Sequence, residues 1–153
     1  MEMTFQEEHA DVVIQEGFQL FKDHWKEIAL YQDKIELSPD YTRYRHLYDK
    51  DELHVVTARD EYGRIVGYLV SLLQKGLHYK NTLWAYNDIL YVCPEYRKGT
   101  TGIKLLKFAE KALKEIGVDV IVVRVKTQHN FGKVLERMGY ENTELSFTKH
   151  VGE

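Results

Sequence analysis

The sequence predicts an α/β (α+β) protein, a mixed β-sheet flanked by helices. Three observations lead there. Residues 53–73 hold two apolar runs separated by Asp60-Glu61-Tyr62-Gly63, the pattern of an antiparallel hairpin. An apolar run over 83–92 passes through a Gly/Thr-rich turn into a long amphipathic helix, and from there into a second apolar run over 118–125. A strand–helix–strand unit placed after a hairpin needs both antiparallel and parallel neighbours, hence a mixed sheet.

The elements follow in order. Residues 11–31 read as one helix, because Ile14, Phe18, Phe21, Trp25 and Ile28 recur at helical spacing along one stripe. Ser38-Pro39-Asp40 signals a helix start, with Ser38 as N-cap and Pro39 in the first turn. Tyr44, Leu47 and Tyr48 give that second helix its apolar side. Strands are expected over 53–59, 64–73 and 83–92, the last with Asn87 and Asp88 interrupting an otherwise apolar run. Residues 102–116 form the clearest helix: Leu105, Leu106, Ala109, Ala112, Leu113 and Ile116 face inward, Lys104, Lys107, Lys111 and Lys114 face water, and Gly117 ends it. Residues 118–125 are nearly all apolar and β-branched, the pattern of a strand buried on both faces. A short helix over 130–138 closes at Gly139, and a last strand is expected over 145–151.

Composition narrows the function. A chain of 153 residues can bury one proper core, and nothing in it reads as a linker or repeat, so residues 1–153 are expected to form one domain. With 24 acidic and 21 basic residues, and lysines spread along the chain, no nucleic-acid surface is expected. No apolar run approaches a membrane span, and the acidic start Met1-Glu2-Met3-Thr4-Phe5-Gln6-Glu7-Glu8 is unlike a signal peptide. The single cysteine, Cys93, cannot form an internal disulfide, which suits the cytoplasm. Cys93 has no histidine beside it in sequence, so packing is preferred to a nucleophilic role. No His, Cys, Asp or Glu cluster has metal-ligand spacing, and no metal is expected.

The most informative stretch is Leu90-Tyr91-Val92-Cys93-Pro94-Glu95-Tyr96-Arg97-Lys98-Gly99-Thr100-Thr101-Gly102-Ile103. A strand-to-helix turn leaves several backbone N–H groups without intrahelical partners, at the end where the helix dipole favours negative charge. Small residues let a phosphate approach that backbone. A Walker-type loop does not fit, since Gly99 and Gly102 are too close and no lysine precedes a Ser/Thr at the right place. The spacing is also wrong for a dinucleotide fingerprint. A plain strand-to-helix connection remains the alternative for the turn taken alone.

Arg97-Lys98-Gly99-Thr100-Thr101-Gly102 resembles the pyrophosphate turn of the GNAT superfamily of acyl-CoA-dependent N-acetyltransferases. That turn reads Arg or Gln, two residues, Gly, one residue, then Gly or Ala. Arg97 and Gly102 match, while Thr100 stands where the first glycine belongs and therefore has to avoid positive φ. The element order over nearly the whole chain is also similar to that family, as is Val134-Leu135-Glu136-Arg137-Met138-Gly139-Tyr140, a short helix closing in Gly-Tyr.

The resemblance implies a GNAT-like fold and transfer of an acetyl group from acetyl-CoA to a primary amine, on a small molecule or a protein, by direct transfer in a ternary complex. It places the cofactor along Leu90, Tyr91 and Val92, where the family's strands splay apart, and on Arg97, Lys98, Gly99, Thr100, Thr101, Gly102 and Ile103. It adds His129 and Asn130, the latter equally readable as a helix cap, and makes the Val92 N–H the oxyanion donor. Asp88 is the implied base for the amine proton, with a structural carboxylate as the alternative. The family's usual tyrosine acid falls at Leu135, which donates no proton. Tyr91, Tyr86 or Tyr140 could replace it, or water could supply the proton. His24, Trp25, Glu27 and Tyr44 would wall the acceptor site, and His78, Tyr79 and Trp84 would lie near the opening. Leu135 and Thr100 also suit a rival of another class, a non-catalytic acyl-CoA-binding or protein-interaction module on the same fold. Unpaired sheet edges make a homodimer plausible.

Overall fold

The computed structural model describes residues 2–153. Five strands, β1 (Thr4–Glu7), β2 (Leu53–Arg59), β3 (Ile65–Gly76), β4 (Tyr79–Val92) and β5 (Val120–Val122), form one sheet in sequence order. β1 through β4 are antiparallel neighbours, and β5 joins β4 in parallel. The parallel step is made by α4 (Thr101–Glu115), which crosses one face of the sheet. The other face carries α1 (Ala10–Glu16), α2 (Phe18–Ile28) and α3 (Tyr41–Asp49); α5 (Gly132–Arg137) follows β5.

Strand alternation sorts the core. On β3, Leu69 and Ser71 lie with Leu106, Ala109 and Leu113 of α4, whereas Tyr68 and Val70 lie with Phe21 and His24 of α2. Both sides are dry: Val56, Ala58, Tyr68 and Leu105 are each 0% exposed. β3 is therefore covered on both faces, which is why its residues read as a nearly unbroken apolar run.

The helix expected over 11–31 is two helices. Gly17 ends α1 by donating to Val13 O at 2.7 Å and caps the start of α2. A Cβ there would sit 2.6 Å from that same carbonyl, so the bend requires glycine. The apolar stripe runs straight through the bend, so periodicity alone does not reveal it. The second helix is capped by Asp40 rather than Ser38: the Asp40 carboxylate accepts from Arg43 N at 2.9 Å. Both glycine stops hold. Gly117 and Gly139 each have φ +96, and Val118 and Tyr140 donate back to Leu113 O and Leu135 O.

Other boundaries move. β1 forms from a stretch with a single core-facing aromatic, Phe5, which packs on Phe108 of α4. β3 and β4 extend into a long hairpin whose tip holds Leu77, 99% exposed. Ile116 lies just past α4 and is half exposed. The strand expected over 118–125 shrinks to three half-buried residues, because β5 is a sheet edge that leaves β4 early. Residues 145–151 form no strand: their alternation finds no sheet partner, and Leu145, Phe147 and Val151 are exposed. The last helix is trimmed to α5. Among the described residues, no helix is long and apolar enough to cross a membrane.

Candidate active site

The site begins where β4 leaves its neighbours. β4 and β5 pair only over Trp84–Val120, Ala85–Ile121 and Tyr86–Val122. At the next position the Asn87 side chain takes over from the ladder: its amide donates to Arg124 O at 3.2 Å and its carbonyl accepts from Arg124 N at 2.7 Å. Beyond this bridge the strands diverge. On the other side of β4 the register slips, Ser71 facing Asn87 and Val70 facing Ile89. Asp88 is the extra residue of this bulge, and the bulge turns both Asp88 and Ile89 toward the α1–α2 face.

Past the bulge the β4 backbone is half used. Cys93 N donates to Val66 O of β3 at 2.8 Å, so by strand alternation the N–H groups of Leu90 and Val92 point the other way, into the space β5 has left. The Val92 carbonyl on that side accepts from Arg97 Nε at 2.6 Å. Arg97 also holds Glu27 of α2 at 2.8 Å and lies 5.1 Å from the Tyr91 ring centroid. Glu27 in turn sits 3.8 Å from His129 Nε2, so it links α2 to both the turn after β4 and the turn before α5 rather than lining the cavity.

The turn itself is an unfilled row of donors. Lys104 N donates to Thr100 O at 2.9 Å, but no N–H from Lys98 through Ile103 meets an acceptor among the described residues. Thr100 has φ −101, so its β-branched side chain is unstrained, and its hydroxyl caps nothing. A Cβ on Gly99 or Gly102 would meet nothing within 4 Å. Nothing in the protein itself demands glycine there, and the open space beside the N–H row would admit a bulky anion. The turn therefore fits a pyrophosphate. Asn130 makes a turn bond, its Oδ1 accepting from Gly132 N at 2.8 Å, while the N-cap position of α5 is Phe131.

On the α1–α2 face a cavity of about 400 Å³ opens between helices and sheet. His24, Trp25 and Tyr44 line it, as does Asp88. The Tyr44 hydroxyl donates to Asp88 Oδ2. Burial, and then that carboxylate, push the Tyr44 pKa up, so the phenol keeps its proton and donates it in a hydrogen bond to Asp88. His24 is 6% exposed, and burial lowers its pKa to about 4. Its Nδ1 lies 2.8 Å from the hydroxyl of Tyr68, whose own pKa burial raises, so this is a neutral pair at pH 7. The Tyr91 ring lies 4.9 Å from that of His24, tilted by 31°, and its phenol is kept protonated by burial first and the Glu27 charge next. Burial pushes the Cys93 thiol up to about 11, away from a nucleophilic thiolate.

Leu135 is buried in the core, and Tyr140 donates to Glu110 Oε2 at 3.1 Å on the α4 side. Among the described residues, no group of three or more His, Cys, Asp or Glu side chains is placed to hold a metal. The sequence reading did not anticipate Tyr68, the Asn87 bridge, or the Glu27–Arg97 pair. Asn87 was detectable as an amide in an apolar strand, whereas Tyr68 gave no signal because it sits in an ordinary apolar run.

A sheet forked beside a donor-rich strand-to-helix turn, with a carboxylate on the fork, sets an anion cradle, an open strand edge and a proton acceptor around one strand. The pattern of the Acetyltransferase (GNAT) family matches residues 17–140, and the chain belongs to that family. It is therefore an acetyltransferase. Comparison with curated proteins finds no match. Among solved structures, it is similar to an aminoglycoside acetyltransferase from an uncultured soil metagenomic sample (TM-score 0.75, 20% identity, covering 99% of this chain and 100% of that one). It is also similar to glucosamine-6-phosphate N-acetyltransferase from Arabidopsis thaliana (TM-score 0.70, 13% identity, 99% and 100% covered). A third is ribosomal-protein-alanine N-acetyltransferase from Brucella melitensis biovar Abortus (TM-score 0.72, 16% identity, 99% and 100% covered). At these identities the likeness concerns the fold.

Proposed function

We propose that this enzyme acetylates a primary amine by direct transfer from acetyl-CoA, with both substrates bound together. The observation that carries the reading is the arrangement around one strand: the unfilled N–H row at Lys98–Ile103 lies beyond its end, and Asp88 stands at its bulge over a separate cavity. Acetyl-CoA supplies an activated acyl carbon as a thioester. Its pyrophosphate would lie on Lys98, Gly99, Thr100, Thr101, Gly102 and Ile103, and its pantetheine arm along Leu90, Tyr91 and Val92, with His129 and Asn130 beside it.

The chain's own groups divide the remaining work. An amine arrives protonated at neutral pH and attacks only after losing a proton, and Asp88 is placed to accept it. Tyr44 holds that carboxylate from α3. The outward Val92 N–H is the donor for developing oxyanion charge. Tyr91 is the phenol for the leaving thiolate, being protonated and on the same strand. Arg97 acts by pinning the strand end, since its guanidinium is engaged by Val92 O and Glu27. His24, Trp25 and Tyr44 form the acceptor wall.

Isothermal titration of acetyl-CoA, CoA and ATP into the purified chain tests this reading. Micromolar binding of both CoA species without ATP is expected. Absence of CoA binding overturns it.

A further inference from the structure

We propose that the acceptor is an apolar monoamine, an aryl- or alkyl-bearing primary amine whose body fills the α1–α2 cavity while its ammonium faces Asp88. The inference rests on the acetyl-CoA reading above and specifies its second substrate.

The cavity's size is that of a pocket for a small organic molecule. Its upper wall is Ile14, Phe21, Trp25 and Ile28. Its floor is core: Val13, Leu53, Val55 and Val70 are all nearly fully buried. Four of the polar groups in this lining pair off, His24 with Tyr68 and Tyr44 with Asp88, so the hydroxyls of Ser38 and Tyr41 are the few left to bond a hydroxyl-rich ligand against a mostly apolar wall.

Charge points the same way. The charged side chains lining the cavity are Asp88, Glu36 and Lys126. A polycation brings several ammonium groups and needs a carboxylate for each when it leaves water. Here one of the three charges is a lysine and all three side chains are exposed, so the lining offers a net single negative charge rather than a carboxylate for each ammonium. An α-amino acid would set its own carboxylate beside the amine, close to Asp88, where like charges repel. A single ammonium on an apolar body meets neither penalty.

The test is a panel of phenethylamine, hexylamine, ethanolamine, spermidine and phenylalanine. Each is assayed for kcat/KM by release of the CoA thiol and titrated into CoA-saturated protein. Phenethylamine or hexylamine is expected to exceed all three others by at least about 100-fold, because ethanolamine lacks the apolar body, spermidine brings further ammonium groups and phenylalanine adds a carboxylate beside the amine. Ile14→Asp places a carboxylate on the apolar wall. It should lower phenethylamine kcat/KM at least about tenfold and narrow the gap to spermidine, with acetyl-CoA titration unchanged. Equal or better use of spermidine, ethanolamine or phenylalanine overturns the inference while leaving the cofactor reading intact. So does failure of both apolar amines to bind CoA-saturated protein. Failure of acetyl-CoA itself to bind overturns both readings and is recognised by the cofactor titration alone.

Discussion

The neutral histidine under the acceptor wall makes stability depend on pH with a calculable sign. His24 is 6% exposed and its pKa lies near 4, against an ordinary 6.5. Burial is the main cause; Glu27 pulls the value back up, and Arg97, Lys126 and His129 push it down again. Between those two pKa values the unfolded chain binds a proton that the folded chain refuses. Stability therefore falls as pH drops from 6.5 toward 4, and His24 adds no further loss below that. The full difference is about 3 kcal/mol, of which roughly 2.4 kcal/mol falls between pH 7 and pH 4.5. Urea denaturation followed by circular dichroism at those two pH values, for the native chain and for His24→Gln, isolates this contribution, because the other titrating groups are common to both. The variant should lose roughly 2 kcal/mol less on acidification. The same loss in both proteins would refute the argument, since the histidine would then accept its proton in the folded state.

Three further outcomes follow from the site. Gly102→Glu should abolish acetyl-CoA binding in a titration while leaving the melting temperature nearly unchanged, because its Cβ meets nothing in the protein and the added carboxylate faces the donor row. Asp88→Asn should lower kcat/KM by about 10²–10⁴-fold with acetyl-CoA affinity retained, as expected for loss of a proton acceptor; steady-state kinetics beside titration separates the two effects. Asn87→Ala removes both bonds to Arg124 at an exposed edge where water can replace them, and should cost about 0.5–1.5 kcal/mol in urea denaturation, together with weaker CoA binding as the fork loses its fixed origin.

Much of this architecture is written locally. The hairpin, the helix after the Gly/Thr turn and the two glycine stops follow from periodicity and backbone conformation, which neighbouring residues decide. What escapes is set by tertiary company. Gly17 bends a helix whose apolar stripe is uninterrupted. β1 needs one aromatic, because an edge strand borrows the rest of its stability from β2. Residues 145–151 carry a strand pattern but no partner, and pattern without pairing does not make a strand. Within the site, the turn and the polar pair Asn87-Asp88 stand out in the sequence because both are unusual where they occur. The Glu27–Arg97 contact joins residues 70 positions apart, and no local rule anticipates it.

The bridge at Asn87 also decides how far a neighbouring strand can pair along one edge. Beyond Tyr86 the outward N–H groups of β4 are an attractive template, and β5 runs parallel to it, next in line to zip along and close the fork. To extend, β5 would need the peptide groups around Arg124. Asn87 already occupies both the N–H and the carbonyl of that residue. One amide side chain thus holds the edge of β4 beyond Tyr86 free of its own sheet.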